Sequence, residues 1–126
     1  MAIIDDELDI VNLFREALYN IGGISIFTFT DPVAALEHFK SNNTAYVLVI
    51  SDLKMPGMNG IDLASEIKKV NPSVRTLLMT AFEANDNIFK EYTRNGVING
   101  FLQKPVRLSG LRAEVIKQIN FIKKNK

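Results

Sequence analysis

The sequence predicts an α/β fold in which helices cover both faces of a five-stranded parallel sheet. Short apolar runs alternate with amphipathic helical patterns along the chain, and the run Tyr46–Ile50 is apolar throughout. A continuous apolar run is typical of a strand that is buried on both faces. Strands that alternate with helices favour parallel pairing through right-handed crossovers. Because no linker or repeat interrupts the alternation, we expect a single domain over residues 1–126.

Two strand–helix units are predicted at the start of the chain. Ala2–Ile4 is a brief apolar run, and apolar residues then recur three or four positions apart over residues 10–21. That spacing predicts an amphipathic helix, which the Gly22-Gly23 pair ends. The β-rich, partly polar run Ile24–Thr30 is typical of an edge strand. The Asp31-Pro32 pair then predicts a helix start, with an acidic cap and a proline at the first helical position.

Three more strands and three more helices are predicted after Ser41. The central strand Tyr46–Ile50 leads to a helix capped at Asn59, and its inward-facing apolar residues are Leu63, Ala64, Ile67 and Val70. Val74–Met79 is the next predicted strand, and a weaker helix follows over residues 84–95. A short strand and a long final helix complete the prediction, Gly100–Gln103 and Leu108–Ile122.

Composition excludes several classes of protein. The chain has no cysteine, which excludes disulfides, thiolate zinc sites and cysteine nucleophiles. No apolar run approaches the roughly 20 residues of a membrane helix, and no secretory pattern precedes Asp5, so we expect a cytoplasmic protein. The net charge of +1 argues against direct nucleic-acid binding. That total hides an uneven distribution, because ten of the fourteen acidic side chains lie in residues 1–66.

Polar residues follow the predicted strands at their carboxyl ends. We expect the flavodoxin-like strand order 2-1-3-4-5, in which a ligand crevice lies at this edge, between strands 1 and 3. The residues there are Asp5, Asp6, Asp52, Thr80 and Lys104. Crowded carboxylates repel one another, and a hard cation such as Mg²⁺ relieves the repulsion. With a lysine and a hydroxyl beside them, the carboxylates form a set that suits phosphoryl transfer.

Four segments in this order resemble the signature of response-regulator receiver domains of two-component signalling. They are Asp5-Asp6-Glu7, the segment 51–60 from Ser51 to Gly60, Met79-Thr80-Ala81 and the segment 101–105 from Phe101 to Pro105. The resemblance implies that Asp52 is the phosphoacceptor for a sensor histidine kinase or a phosphotransfer protein. It implies Mg²⁺ held by Asp6, Asp52 and the backbone carbonyl of Lys54, with Asp5 acting through water. Thr80 and Lys104 would contact the phosphoryl oxygens, and the Lys104–Pro105 bond would be cis.

The resemblance also implies a switch. Thr80 would move towards the phosphoryl group, and the aromatic residue of strand 5, here Phe101, would enter the vacated space. The face of helix 4, strand 5 and helix 5 would then control an output domain or partner protein, with homodimerisation on phosphorylation as one outcome. Lys54 and Phe82 occupy positions that tune the dephosphorylation rate, and a bulky Phe82 would slow attack by water. The chain would catalyse only its own phosphorylation and dephosphorylation.

Three other functions are weighed against this interpretation. A phosphatase of the haloacid-dehalogenase type also uses Asp, Mg²⁺, Thr and Lys, but its nucleophile lies on the first strand in an Asp-x-Asp pattern. A flavodoxin-like FMN carrier would have Ser-, Thr- and Gly-rich loops where this chain has carboxylates. A degenerate receiver that acts only as a binding module would lack some of the key residues. His38, the only histidine, is predicted at the surface of a helix.

Overall fold

The structure, a computed structural model, describes residues 1–81 and 87–125, apart from the side chain of Ile88. Strands and helices alternate as predicted, and a 3-10 turn at Asn43–Ala45 precedes the third strand. The elements are β1 (Ala2–Ile4), α1 (Leu8–Leu18), β2 (Phe27–Phe29), α2 (Pro32–Ser41), β3 (Leu48–Asp52), α3 (Gly60–Val70), β4 (Arg75–Thr80), α4 (Asn87–Arg94), β5 (Gly100–Gln103) and α5 (Leu108–Lys124). No helix among the described residues is both long enough and apolar enough to cross a membrane.

The five strands form one parallel sheet in the order β2-β1-β3-β4-β5, which confirms the predicted topology. Ile4 pairs with Ser51, so the chain leaves β1 beside the last residues of β3. Asp52 pairs with Met79, and Thr80 pairs with Gln103. The register therefore brings the carboxyl ends of β1, β3, β4 and β5 to one edge of the sheet.

Buried apolar side chains hold this edge in place from both faces of the sheet. On one face, α1 and α5 cover the central strands through Phe14, Leu18, Leu111 and Val115. On the other face, α2 and α3 pack through Leu36, Phe39, Leu63 and Ile67. Each fully buried side chain of this size contributes about 1.5–3 kcal/mol. The strands β1, β3 and β4, which lead to Asp5, Asp52 and Thr80, are thus almost entirely buried.

Local sequence signals act as predicted at the starts of α2 and α3, whereas α1 ends at Leu18, before the Gly22-Gly23 pair that was predicted to end it. The Asp31 carboxylate accepts a hydrogen bond from the Val33 amide at 3.1 Å and caps α2. The Asn59 side chain accepts from the Asp62 amide at 2.8 Å and caps α3. Gly96, two residues after α4, has a φ of 78°, a left-handed conformation that glycine adopts without strain.

Several predicted boundaries and orientations are wrong. β2 covers only three residues of the predicted run 24–30, because it pairs only with β1, which is itself three residues long. β3 begins later than predicted and includes Asp52. Val70, the last residue of α3, is exposed rather than facing inward. α5 extends two residues beyond Ile122, to Lys124. Of the helix predicted over 84–95, residues 84–86 lie outside the described part.

Candidate functional site

Three carboxylates meet at the carboxyl ends of β1 and β3. Asp5 directly follows β1, and Asp52 is the last residue of β3. Carboxylate oxygens of Asp5, Asp6 and Asp52 all lie within 4.8 Å of one another. Asp5 and Asp52 are only 2% and 5% exposed, whereas Asp6 faces solvent. The structure therefore brings Asp5 and Asp6 together with Asp52, which lies 47 and 46 residues further along the chain.

The pKa of Asp5 is raised by its surroundings in this cluster. Burial, with smaller contributions from the negative charges of Asp52 and Asp6, raises the pKa of its carboxyl group to about 6. The Glu7 amide donates to Asp5 Oδ1 at 2.9 Å, which opposes the shift in pKa. Glu7 occupies the N-cap position of α1 and makes no side-chain cap hydrogen bond. The carboxylates are thus left to face one another.

Asp52 is held by the backbone and by a lysine. The Leu53 amide donates to Asp52 Oδ1 at 3.0 Å, and Lys104 Nζ lies 2.7 Å from the same oxygen. The buried Ser51 hydroxyl donates to the Asp52 carbonyl at 2.9 Å. Both the side chain and the backbone of Asp52 are therefore fixed before any ligand arrives.

Lys104 is positioned by β5 and by the turn that follows it. Its backbone amide donates to the Thr80 carbonyl at 2.8 Å, and its peptide bond to Pro105 is cis, as expected. Burial acts to lower the pKa of Lys104, but the hydrogen bond and charge of Asp52, with Asp5 and Glu7, outweigh it and hold the pKa above its usual value. The ammonium group is therefore charged at neutral pH.

Thr80 ends β4 and is 2% exposed. A cleft of about 240 Å³ is lined by Asp52, Lys54, Thr80 and Lys104 among others, so it contains four of the predicted site residues. Gln103, which the sequence analysis treats only as a strand residue, donates through Nε2 to the Ala81 carbonyl at 2.9 Å. This hydrogen bond connects the residue after Thr80 to β5. The only sequence feature that could have indicated the role of Gln103 is its position directly before Lys104.

Of the two phenylalanines predicted to act in the site, Phe101 lies within the described residues and Phe82 does not. Phe101 lies opposite Leu78 in the sheet and is partly buried, with its ring centre 5.2 Å from that of Phe89 in α4. The aromatic residue of β5 thus contacts the helix beside it. Phe82, predicted to tune the rate, lies outside the described residues.

Gly60 is a site residue that the sequence analysis missed. Its amide donates to the Leu53 carbonyl at 2.9 Å, which brings the start of α3 against the end of β3. A Cβ atom at this position would lie 2.3 Å from the Asp52 carbonyl oxygen and 2.7 Å from Leu78 Cδ1. The close approach explains why a residue without a side chain follows the Asn59 cap. The Asn59-Gly60 pair was a signal, but it reads equally well as an ordinary helix start.

The acidic cluster fits a magnesium ion. Mg²⁺ prefers a few carboxylate and carbonyl oxygens and keeps several waters, and the described residues offer three carboxylates beside an open cleft. Burial is the main cause of the raised pKa of Asp5, and beside it Asp52 and Asp6 contribute negative charge. A divalent cation would neutralise this charge.

Comparisons with known proteins agree on one family. A family model described as the response regulator receiver domain matches residues 1–116. The chain is 30% identical over 117 residues to sporulation initiation phosphotransferase F of Bacillus subtilis (strain 168), covering 93% of this chain and 90% of that protein. It is also 30% identical over 96 residues to ethylene receptor 2 of Oryza sativa subsp. japonica, covering 75% of this chain. The chain spans only 13% of the length of that receptor.

A solved structure agrees with the sequence comparisons. The crystal structure of a response regulator receiver domain protein from Clostridium thermocellum superposes with a TM-score of 0.86 at 30% sequence identity. The superposition covers 99% of this chain and 97% of the other. The similarity therefore extends over the whole sheet and all the helices around it.

Proposed function

The chain belongs to the response regulator receiver domain family, whose function is to accept a phosphoryl group in two-component signalling, and we propose that Asp52 is the acceptor here. The observation that supports this assignment is the contact between Lys104 Nζ and Asp52 Oδ1 at 2.7 Å, beside two further carboxylates. A carboxylate can act as a nucleophile when nearby positive charge stabilises the transferred group. We propose that residues 1–126 form a single receiver domain.

The proposed reaction is a transfer from phosphohistidine. An oxygen of Asp52 forms a bond to phosphorus, the bond between phosphorus and the imidazole nitrogen breaks, and its electron pair stays on that nitrogen. The product is an acyl phosphate. Lys104 and Thr80 contact the phosphoryl oxygens, and positioning with charge stabilisation accounts for most of the rate. The chain catalyses only its own phosphorylation and dephosphorylation.

Asp6, Asp52 and the backbone carbonyl of Lys54 would hold Mg²⁺, with Asp5 acting through water. When bound, Mg²⁺ supplies positive charge that neutralises the phosphoryl oxygens. The buried Asp5 sets the charge of the pocket, because its carboxyl group changes protonation near neutral pH. Lys104 remains charged throughout this range and orients Asp52 through its contact with Oδ1 at 2.7 Å.

Mg²⁺ affinity is expected to fall as the pH drops through about 6, the pKa of Asp5. Burial and neighbouring acids favour the protonated form of Asp5, whereas the cation favours the ionised form, so the affinity falls about tenfold per pH unit below that pKa. Isothermal titration calorimetry between about pH 5 and pH 8 measures it. In Asp5→Asn the inflection near the Asp5 pKa should disappear. An affinity independent of pH in the parent chain would contradict the prediction.

Receiver domains interact with histidine kinases or phosphotransfer proteins and with output domains, and we propose a sensor histidine kinase or phosphotransfer protein as the donor. The face formed by α4, β5 and α5 changes on phosphorylation and controls an output domain or partner protein. Thr80 moves towards the phosphoryl group, and Phe101, which contacts Phe89 in α4, follows into the vacated space. The two packings exchange population when the charge at Asp52 changes. Phenylalanine has no hydroxyl, so packing alone carries this switch.

Lys104→Met is expected to slow phosphorylation by acetyl phosphate about 100-fold, because it removes the charge beside the acceptor oxygen. Methionine has a similar length and no charge. Labelling with Mg²⁺ and acetyl phosphate measures the rate, and the adduct should be stable to acid and labile to base. Lys69→Met is the control, since Lys69 is exposed and pairs with Glu66. Equal rates in the two variants would overturn the role of Lys104.

A further inference from the structure

A cleft of about 550 Å³ lies at the amino-terminal ends of β4 and β5, at the opposite edge of the sheet from Asp52. β4 runs from Arg75 in this cleft to Thr80 at the acidic edge, a span of about 17 Å at the usual rise per residue. The cleft shares no lining residue with the one beside Asp52. It is a separate feature of the molecule.

Two cationic side chains are fixed in this cleft by neutral partners. Lys68 Nζ donates to the Val74 carbonyl and to Asn99 Oδ1, both at 2.7 Å. Arg75 Nε donates to Gln118 Oε1 at 2.8 Å. An ammonium has three N–H groups and a guanidinium has five, so each cation keeps donors for a further partner.

The surroundings hold both side chains in one arrangement. The guanidinium carbon of Arg75 lies 3.8 Å from the centre of the Phe121 ring, a stacked cation–π contact. Asn99 Oδ1 also accepts from the Thr76 amide at 2.8 Å, so the Lys68 contact is anchored to β4. A ligand would therefore meet donors whose conformational entropy is already restricted, which favours binding.

The cleft has more positive than negative charge. Burial, with a smaller contribution from the positive charge of Arg75, lowers the pKa of Lys68 to about 8. The acid that acts on Arg75 is Glu114, which accepts from Gln118 at 3.0 Å and opposes the lowering of the Arg75 pKa. Two partly buried cations thus face one carboxylate within the described part of the chain. An anion in the cleft would relieve their repulsion.

We propose that this cleft binds a phosphate group, through Lys68 and the terminal nitrogens of Arg75, with Ser73 and Asn125 as further donors at its rim. Arginine and lysine together give the fork and the point charge that phosphate recognition uses. The cleft is larger than a phosphate ion and has the exposed, apolar Phe121 on its wall. A phosphate monoester with an apolar remainder therefore fits it better than the free ion does.

The test is an NMR titration of the whole chain without Mg²⁺, at constant ionic strength, with inorganic phosphate and separately with phenyl phosphate. We expect saturable shifts of the Ser73, Arg75 and Asn99 amides and of the Arg75 side-chain Nε–H, with tighter binding of phenyl phosphate. Arg75→Gln and Lys68→Gln should each weaken binding about tenfold or more, as expected for a lost charge-assisted hydrogen bond.

Two further variants separate binding from folding. Arg75→Lys keeps the charge and should retain measurable binding, and Lys69→Gln changes an exposed lysine that does not line the cleft and should bind like the parent. The proposal is overturned if the parent chain shows no saturable shift, or if the shifts centre on Thr80 and Lys104. It is also overturned if Arg75→Gln, with a native amide spectrum, binds as tightly as the parent. Equal affinity for both probes would assign the cleft to the free ion and contradict the monoester.

Discussion

Asp52→Asn is expected to abolish phosphorylation by acetyl phosphate in the presence of Mg²⁺. The substitution preserves the shape of the side chain and the oxygen that accepts from the Leu53 amide at 3.0 Å. It removes the nucleophilic carboxylate, a loss that lowers rates by at least about 1,000-fold where a nucleophile has been deleted from an enzyme. Labelling followed by intact-mass measurement would detect the adduct in the parent chain and none in the variant.

The matched control is Asp62→Asn, an identical change at an exposed acid in the first turn of α3. It should label like the parent. Asp52→Asn should also remain folded, because it relieves repulsion within the acidic cluster. The pKa of Asp5 should then fall below about 6, since the charge of Asp52 is one of the causes that raise it. Full-rate labelling of Asp52→Asn would refute the assignment of the acceptor.

Gly60→Ala is expected to destabilise the fold by about 1–3 kcal/mol, the usual cost of overpacking. The new Cβ would lie 2.3 Å from the Asp52 carbonyl oxygen, and a backbone oxygen cannot rotate away as a side chain can. α3 must then retreat from β3, which weakens the hydrogen bond from the Gly60 amide to the Leu53 carbonyl. Because Asp52 itself is displaced, phosphorylation should slow as well. Urea unfolding and the labelling rate measure the two effects.

Gly110→Ala is the control for Gly60→Ala. Gly110 lies in the first turn of α5, and a Cβ there would meet nothing within 4 Å. Helix propensity alone predicts that both substitutions stabilise the chain, by up to about 1 kcal/mol. The two variants should therefore shift stability in opposite directions. Stabilisation of both would show that the close approach at Gly60 carries no cost.

The strand order and the meeting of the site residues at one edge could be predicted because both depend on the hydrophobic pattern and on how the strands are connected. An apolar run covered on both sides, short connections and right-handed crossovers allow few topologies, and these place Asp5, Asp52, Thr80 and Lys104 at one edge. The helix caps at Asp31 and Asn59 could be predicted because capping is local. Features that depend on local residue order or on strand order could therefore be predicted from the sequence.

Contacts between distant segments could not be predicted in this way. His38, expected at the surface, is partly buried, with its ring 4.8 Å from that of Phe27 and Nδ1 2.5 Å from the Tyr46 hydroxyl oxygen. The clash that Gly60 avoids involves the backbone of another element. The pairing of Lys68 with Asn99 spans 31 residues. No periodicity or motif in one segment indicates which atoms of another segment it will meet.

The central claim, that Asp52 carries the phosphoryl group, is tested most directly by mapping the label on the unmodified chain. After reaction with acetyl phosphate and Mg²⁺, borohydride reduction converts an aspartyl phosphate into homoserine, which peptide mass spectrometry locates. We predict homoserine at position 52 and unmodified aspartate at positions 5 and 6. Homoserine at either of those positions, or a phosphoryl group on His38, would contradict the account.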